Sequence, residues 1–163
     1  MANNYLQFSM TVPLKTVAEQ VWCRASLTAL ERFLSGTENG VQQFDSDIAS
    51  VVVEGLRKEW SYQGFEWTIS AAADNSDRVA ELSLHADESG EPAQVAAFLR
   101  AYLKKFDPTG SLWFSWACTC SKMRANEFGG GAAIVTASRV SILDVQDWAS
   151  KRVALAVKRL RSR

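Results

Sequence analysis

Apolar and polar residues alternate from the start of the chain. Leu6, Phe8, Met10 and Val12 fall on one side and Tyr5, Gln7, Ser9 and Thr11 on the other, which is the period of a half-buried strand. Pro13 and the capping-box pair Thr16-x-x-Glu19 mark a helix start, and Leu14, Val17, Ala18, Val21, Ala25 and Phe33 recur at helical spacing up to Gly36. From about residue 37 to 64 neither period persists, so a less regular insertion is predicted there, with one short β-branched run at Val51 to Val53.

Alternation returns at Phe65, Trp67 and Ile69, and again at Ala80, Leu82 and Leu84; Asp74-Asn75-Ser76-Asp77 between them reads as a hairpin turn. Pro92 opens a second helix with the stripe Val95, Phe98, Leu99, Tyr102 and Phe106, stopped by Asp107-Pro108-Thr109-Gly110. A strand with Leu112, Phe114, Trp116, Cys118 and Cys120 on its inner face follows, then a glycine-rich connection and a strand from Ala132 to Ala137. The last helix is predicted from about Ser141, with Val145, Trp148, Ala149, Ala156 and Leu160 facing inward.

The pattern therefore predicts a single α+β domain over residues 1–163, with a mainly antiparallel sheet and the order β-α-β-β-α-β-β-α. This is the split β-α-β plan of ferredoxin-like folds extended by one strand and a basic helix, with the helices on one sheet face. Tyr5, Gln7, Glu66, Thr68, Glu81, Ser83, His85, Trp113 and Ser115 fall on the opposite face.

Charge changes this picture only locally. Lys and Arg number 18 and Asp and Glu 18, a balance unlike that of a strongly basic nucleic-acid binder or an acidic DNA mimic. After Asp147, however, Lys151, Arg152, Lys158, Arg159, Arg161 and Arg163 follow with no acid among them. The first residues lack the pattern of a secretory signal and no apolar run is long enough to span a bilayer, so a cytoplasmic protein is expected. Three cysteines, two of them one residue apart, do not suggest structural disulfides.

Candidate chemistry is sparse. His85 is the single histidine and shares its strand face with Glu81 and Ser83, as a solvated sheet residue would. Cys118 and Cys120 point inward, where thiols are inert. The stretch from Lys122 to Gly131 combines Lys122, Arg124 and Glu127 with three glycines. Backbone amides there offer an anion-binding nest, or the glycines serve a tight turn or bulge; the spacing is that of neither a P-loop nor GxGxxG. No catalytic residue, metal or cofactor is expected.

The string TCSKMRANEFGGGAAIVTA, with HADESGEPAQVAAFLRAYLKKFDPTG upstream and the opening NYLQFS, resembles a family of small proteins of unassigned activity encoded by phages, plasmids and other bacterial mobile elements. Its members read TCSKPRxGEFGGGAxxVTA. Thr119 to Lys122, Arg124 and Glu127 to Gly131 match, while Met123 and Asn126 depart. The resemblance implies an accessory protein that binds and blocks a host protein, such as a CRISPR effector or another defence complex. Expected binding residues are Tyr5 and Trp113 as aromatic anchors, Lys122, Arg124 and Glu127 in the loop, and Lys151, Arg152, Lys158 and Arg159 in the tail. Nucleic acid bound by the basic helix is the alternative, and an enzyme using the Lys122 to Gly131 loop a more distant one.

Overall fold

The structure, a computed structural model, describes residues 4–35, 62–72, 78–122 and 128–161, with side chains as far as 158. Most of the insertion, the hairpin turn after Ile69, Gly36, Arg124 and Glu127 lie outside the described residues. Six strands form one antiparallel sheet: β1 (Asn4–Leu14), β2 (Glu66–Ala71), β3 (Ala80–Ala86), β4 (Ser111–Cys120), β5 (Gly129–Thr136) and β6 (Val140–Asp144). The helices are α1 (Val17–Leu34), α2 (Pro92–Phe106) and α3 (Val145–Arg161).

The spatial order β2-β3-β1-β4-β5-β6 places β1 between β3 and β4, with antiparallel neighbours throughout. Its first four strands are arranged as the split β-α-β plan requires. β6 is an addition to the expected order: Val140–Asp144 pairs with β5 from Val135↔Val140 to Gly131↔Asp144, and α3 begins only at Val145.

Alternation sets the two sheet faces. Phe8, Val12 and Leu14, all of β3 from Ala80 to Ala86 in steps of two, Phe114, Ala133 and Val135 are buried beneath α1 and α2 in one core. α2 buries the predicted stripe, Val95, Phe98, Leu99 and Tyr102, and Phe106 packs at its edge. α1 is rotated from expectation: Val17 and Val21 are exposed, while Trp22, Cys23, Leu27 and Leu30 are buried. The cause is aromatic. Trp22 stacks on Phe98 and meets Phe106 edge-on, a larger apolar gain than either valine offers, and this turns Glu19 inward with it.

Buried Gln94 fixes the entry to β2. Its amide nitrogen donates to the Tyr62 carbonyl at 2.8 Å, and its oxygen accepts from the Gly64 backbone N–H at 2.9 Å.

α3 departs most from expectation. Every residue from Val145 to Lys158 is exposed, so Val145, Trp148, Ala149 and Ala156 do not face inward. Its start is tied to the body, where the Gln146 side-chain amide donates to the Phe128 carbonyl at 2.9 Å. A 3.6-residue period shows that a helix has an apolar side, and here that side is not covered by its own sheet.

Candidate functional site

Two regions of the surface stand out. At one end of the sheet, Tyr5, Thr119, Gly129, Gly130, Asp144 and Gln146 line a groove of about 360 Å³ with Glu88 and Cys118. The pairing Tyr5↔Thr119 and Cys118↔Gly129 brings the start of β1, the end of β4 and the glycine run together. Lys122 is exposed just beyond that end of β4. The glycines are required by close packing. A Cβ on Gly130, whose φ is +156°, would collide with the Trp116 carbonyl, and one on Gly131 with the Trp116 ring and the Leu143 carbonyl.

The second region is apolar. Trp113 stands directly opposite Ile134 on the uncovered sheet face, with Leu143 of β6 opposite Ala132 on the same face. Trp113 is 71% exposed, Ile134 57% and Leu143 47%. α3 continues from β6 with Val145, Trp148, Val153, Leu155 and Val157 exposed, and Arg152 lies over the Trp148 ring at 5.8 Å. Ten of the fourteen exposed large apolar side chains among the described residues thus lie between Trp113 and Val157. Single exposed apolar residues are ordinary; a concentration of them marks a contact surface.

The structure therefore splits the expected anchors. Tyr5 and Trp113 share the uncovered face, but the strand between Trp113 and Thr119, the partner of Tyr5, is about 20 Å long. Lys151, Arg152 and Lys158 are exposed on α3, Lys151 in a 2.5 Å ion pair with Asp147. Arg159 lies in the same helix, its side chain outside the described residues. Ile134 and Leu143 were missed by sequence reading. The cross-strand register of β5 with β4 and β6 is what assembles them beside Trp113, and alternation within one strand carries no such information.

The titratable groups offer little reactivity. Nε2 of His85 lies 3.4 Å from the Glu66 carboxylate across the β2–β3 pair. Burial, and then Asp144, push the Cys118 thiol up, while burial, and then Glu19, push Cys23 up to about 12. Both shifts disfavour the thiolate that nucleophilic attack needs. Cys118 and Cys120 are half-buried rather than buried. Among the described residues no cluster of His, Cys, Asp and Glu is suited to a metal ion, and no helix is long and apolar enough to cross a membrane. No family model, curated protein or solved structure matches the chain.

Proposed function

We propose that this chain is a non-enzymatic binding protein, and that its working surface is the uncovered sheet face around Trp113, Ile134 and Leu143. The observation that carries this reading is the exposure of those three side chains in adjacent strands. A sheet face supplies a rigid platform, and a tryptophan flanked by aliphatic residues is the composition of a binding hot spot. Rows of Ser9, Thr11, Ser83 and Ser115 on the same face give the polar surroundings of such a contact. The resemblance to mobile-element proteins supplies the class of target: a host protein, with a defence assembly such as a CRISPR effector first among those to try.

Trp113→Asp tests this. Because the side chain is largely in solvent, the variant is expected to melt within about 0.5 kcal/mol of the wild type while losing capture of the host protein and inhibition of it. Capture that is unchanged by Trp113→Asp and by Ile134→Lys overturns the assignment of this surface.

The +6 tail is the feature that favours nucleic acid as a second reading. Glu66 and Glu81 on the uncovered face oppose it, since a strand laid across that face would bring its phosphates beside two carboxylates.

A further inference from the structure

β6 is the last strand of the sheet, and no described residue pairs with its outer edge. Strand edges that stay single are guarded by lysine, proline, a bulge or a covering element. The sequence Val-Ser-Ile-Leu-Asp of β6 has no lysine or proline, and Ile142 and Leu143 are about half exposed. α3 starts at the very next residue, so there is no connecting turn to swing the helix back over its own sheet. Val145, Val153 and Val157 remain in solvent on one stripe with Ala149 and Ala156, along a helix about 25 Å long. A bare strand edge and a bare helix stripe are thus consecutive in the chain.

We infer that this boundary is covered by a second copy of the chain, with β6 pairing antiparallel to β6 of the other copy about a twofold axis and each α3 lying on the other copy's body. Charge selects this arrangement. All 18 acids lie at or before Asp147, and six of the 18 cations follow it, so the body carries −6 and the tail +6. Packing the two helices on each other would set five cations and one acid against the same set, whereas crossing each helix to the other copy's body keeps these like charges apart. Area supports it as well. Ile142 with the exposed apolar residues of α3 presents on the order of 500 Å² per copy, or about 1,000 Å² for the pair, where specific interfaces begin. The dimer is therefore concentration-dependent rather than permanent. An axis normal to the sheet leaves both uncovered faces on the same side, so two Trp113 surfaces lie on one platform.

Sedimentation velocity on the full chain, without any other protein present, separates this inference from the proposed function. The mass is expected to rise from 18.0 kDa toward twice that value with concentration, and the association to weaken as salt is raised. Val153→Glu with Val157→Glu on the exposed stripe, and Ile142→Lys at the strand edge, should each weaken association by at least about tenfold, since each buries an unpaired charge. Amide exchange at residues 140–144 of the wild type should slow as concentration rises, a readout that does not depend on any variant folding. A chain of 18.0 kDa at every concentration, or a dimer indifferent to these substitutions, overturns the inference. So does a monomer whose α3 binds phosphatidylglycerol vesicles and releases them on Val153→Glu, which would assign the helix to an anionic lipid surface.

Discussion

The Tyr102 hydroxyl donates to the Glu19 carboxylate at 2.8 Å, tying the middle of α2 to the first turn of α1. Glu19 also accepts from the Lys15 backbone N–H at 2.9 Å and from the Thr16 hydroxyl at 3.2 Å, and the Thr16 hydroxyl in turn accepts from the Glu19 backbone N–H. One buried carboxylate thus closes the helix cap and joins two helices. Tyr102→Phe removes one of its three donors in a buried place and is expected to cost about 1 to 3 kcal/mol, a melting shift of a few degrees by calorimetry.

The same neighbourhood sets an alkaline limit on stability. Burial, then Glu19, holds the Cys23 thiol protonated up to about 12, against 9.0 when unfolded, and burial, then Glu19, likewise raises Tyr102 above its usual 10.0. The unfolded chain releases these protons first, so the stabilisation is whole below pH 9 and is lost as pH climbs toward 12. Urea unfolding at stepped pH should show stability falling from about pH 9, by a few kcal/mol across the window. Cys23→Ala should flatten the earlier part of that slope and Tyr102→Phe the part above pH 10.

At the glycine run, the strand backbones are too close for a side chain. Gly130→Val is expected to cost on the order of 1 to 3 kcal/mol, because its Cβ meets the Trp116 carbonyl. Gly129→Ala should be much milder, since its Cβ would approach only the flexible Gln146 side chain, at 3.2 Å. Equal thermal melts for wild type and Gly130→Val would contradict the structural role.

For the basic tail, the expected outcome is no appreciable affinity for random nucleic acid at physiological salt. Fluorescence anisotropy with single-stranded and duplex probes checks this over a salt series. Micromolar or tighter binding that falls steeply with salt and disappears when Lys151, Lys158, Arg152 and Arg159 are reversed to Glu would put the nucleic-acid reading first.

Much of this fold is legible from period alone. β1, β3, β4 and α2 were found because each buries one face against a single core, which imprints a clear alternation or stripe, and the capping box at Thr16 and Glu19 formed as its spacing predicts. The misses have physical causes. In α1, polar Glu19 and Ser26 are buried while Val17 and Val21 are not, since contacts made by Trp22 and Tyr102 with distant residues outweigh the local apolar count. β6 is five residues long and runs directly into α3, so the helix pattern after Val145 concealed it. The candidate surface was half visible: Trp113 stood out by composition, but its neighbours Ile134 and Leu143 are set by register.

The order in which the strands appear on the ribosome differs from their order in the sheet. β1 leaves the exit tunnel first, yet its two neighbours are β3, more than seventy residues later, and β4, more than a hundred residues later. An amphipathic strand with Phe8, Val12 and Leu14 on one side therefore has no partner on either edge until β3 is made, and none on its second edge until β4 is made. Pairing of the second edge of β1 is tied to the arrival of Cys120, so loop closure over this distance is the entropic cost of placing β1 at the centre of the sheet. The strand at the centre of the finished sheet is thus the one whose apolar face stands bare longest while the chain is being made.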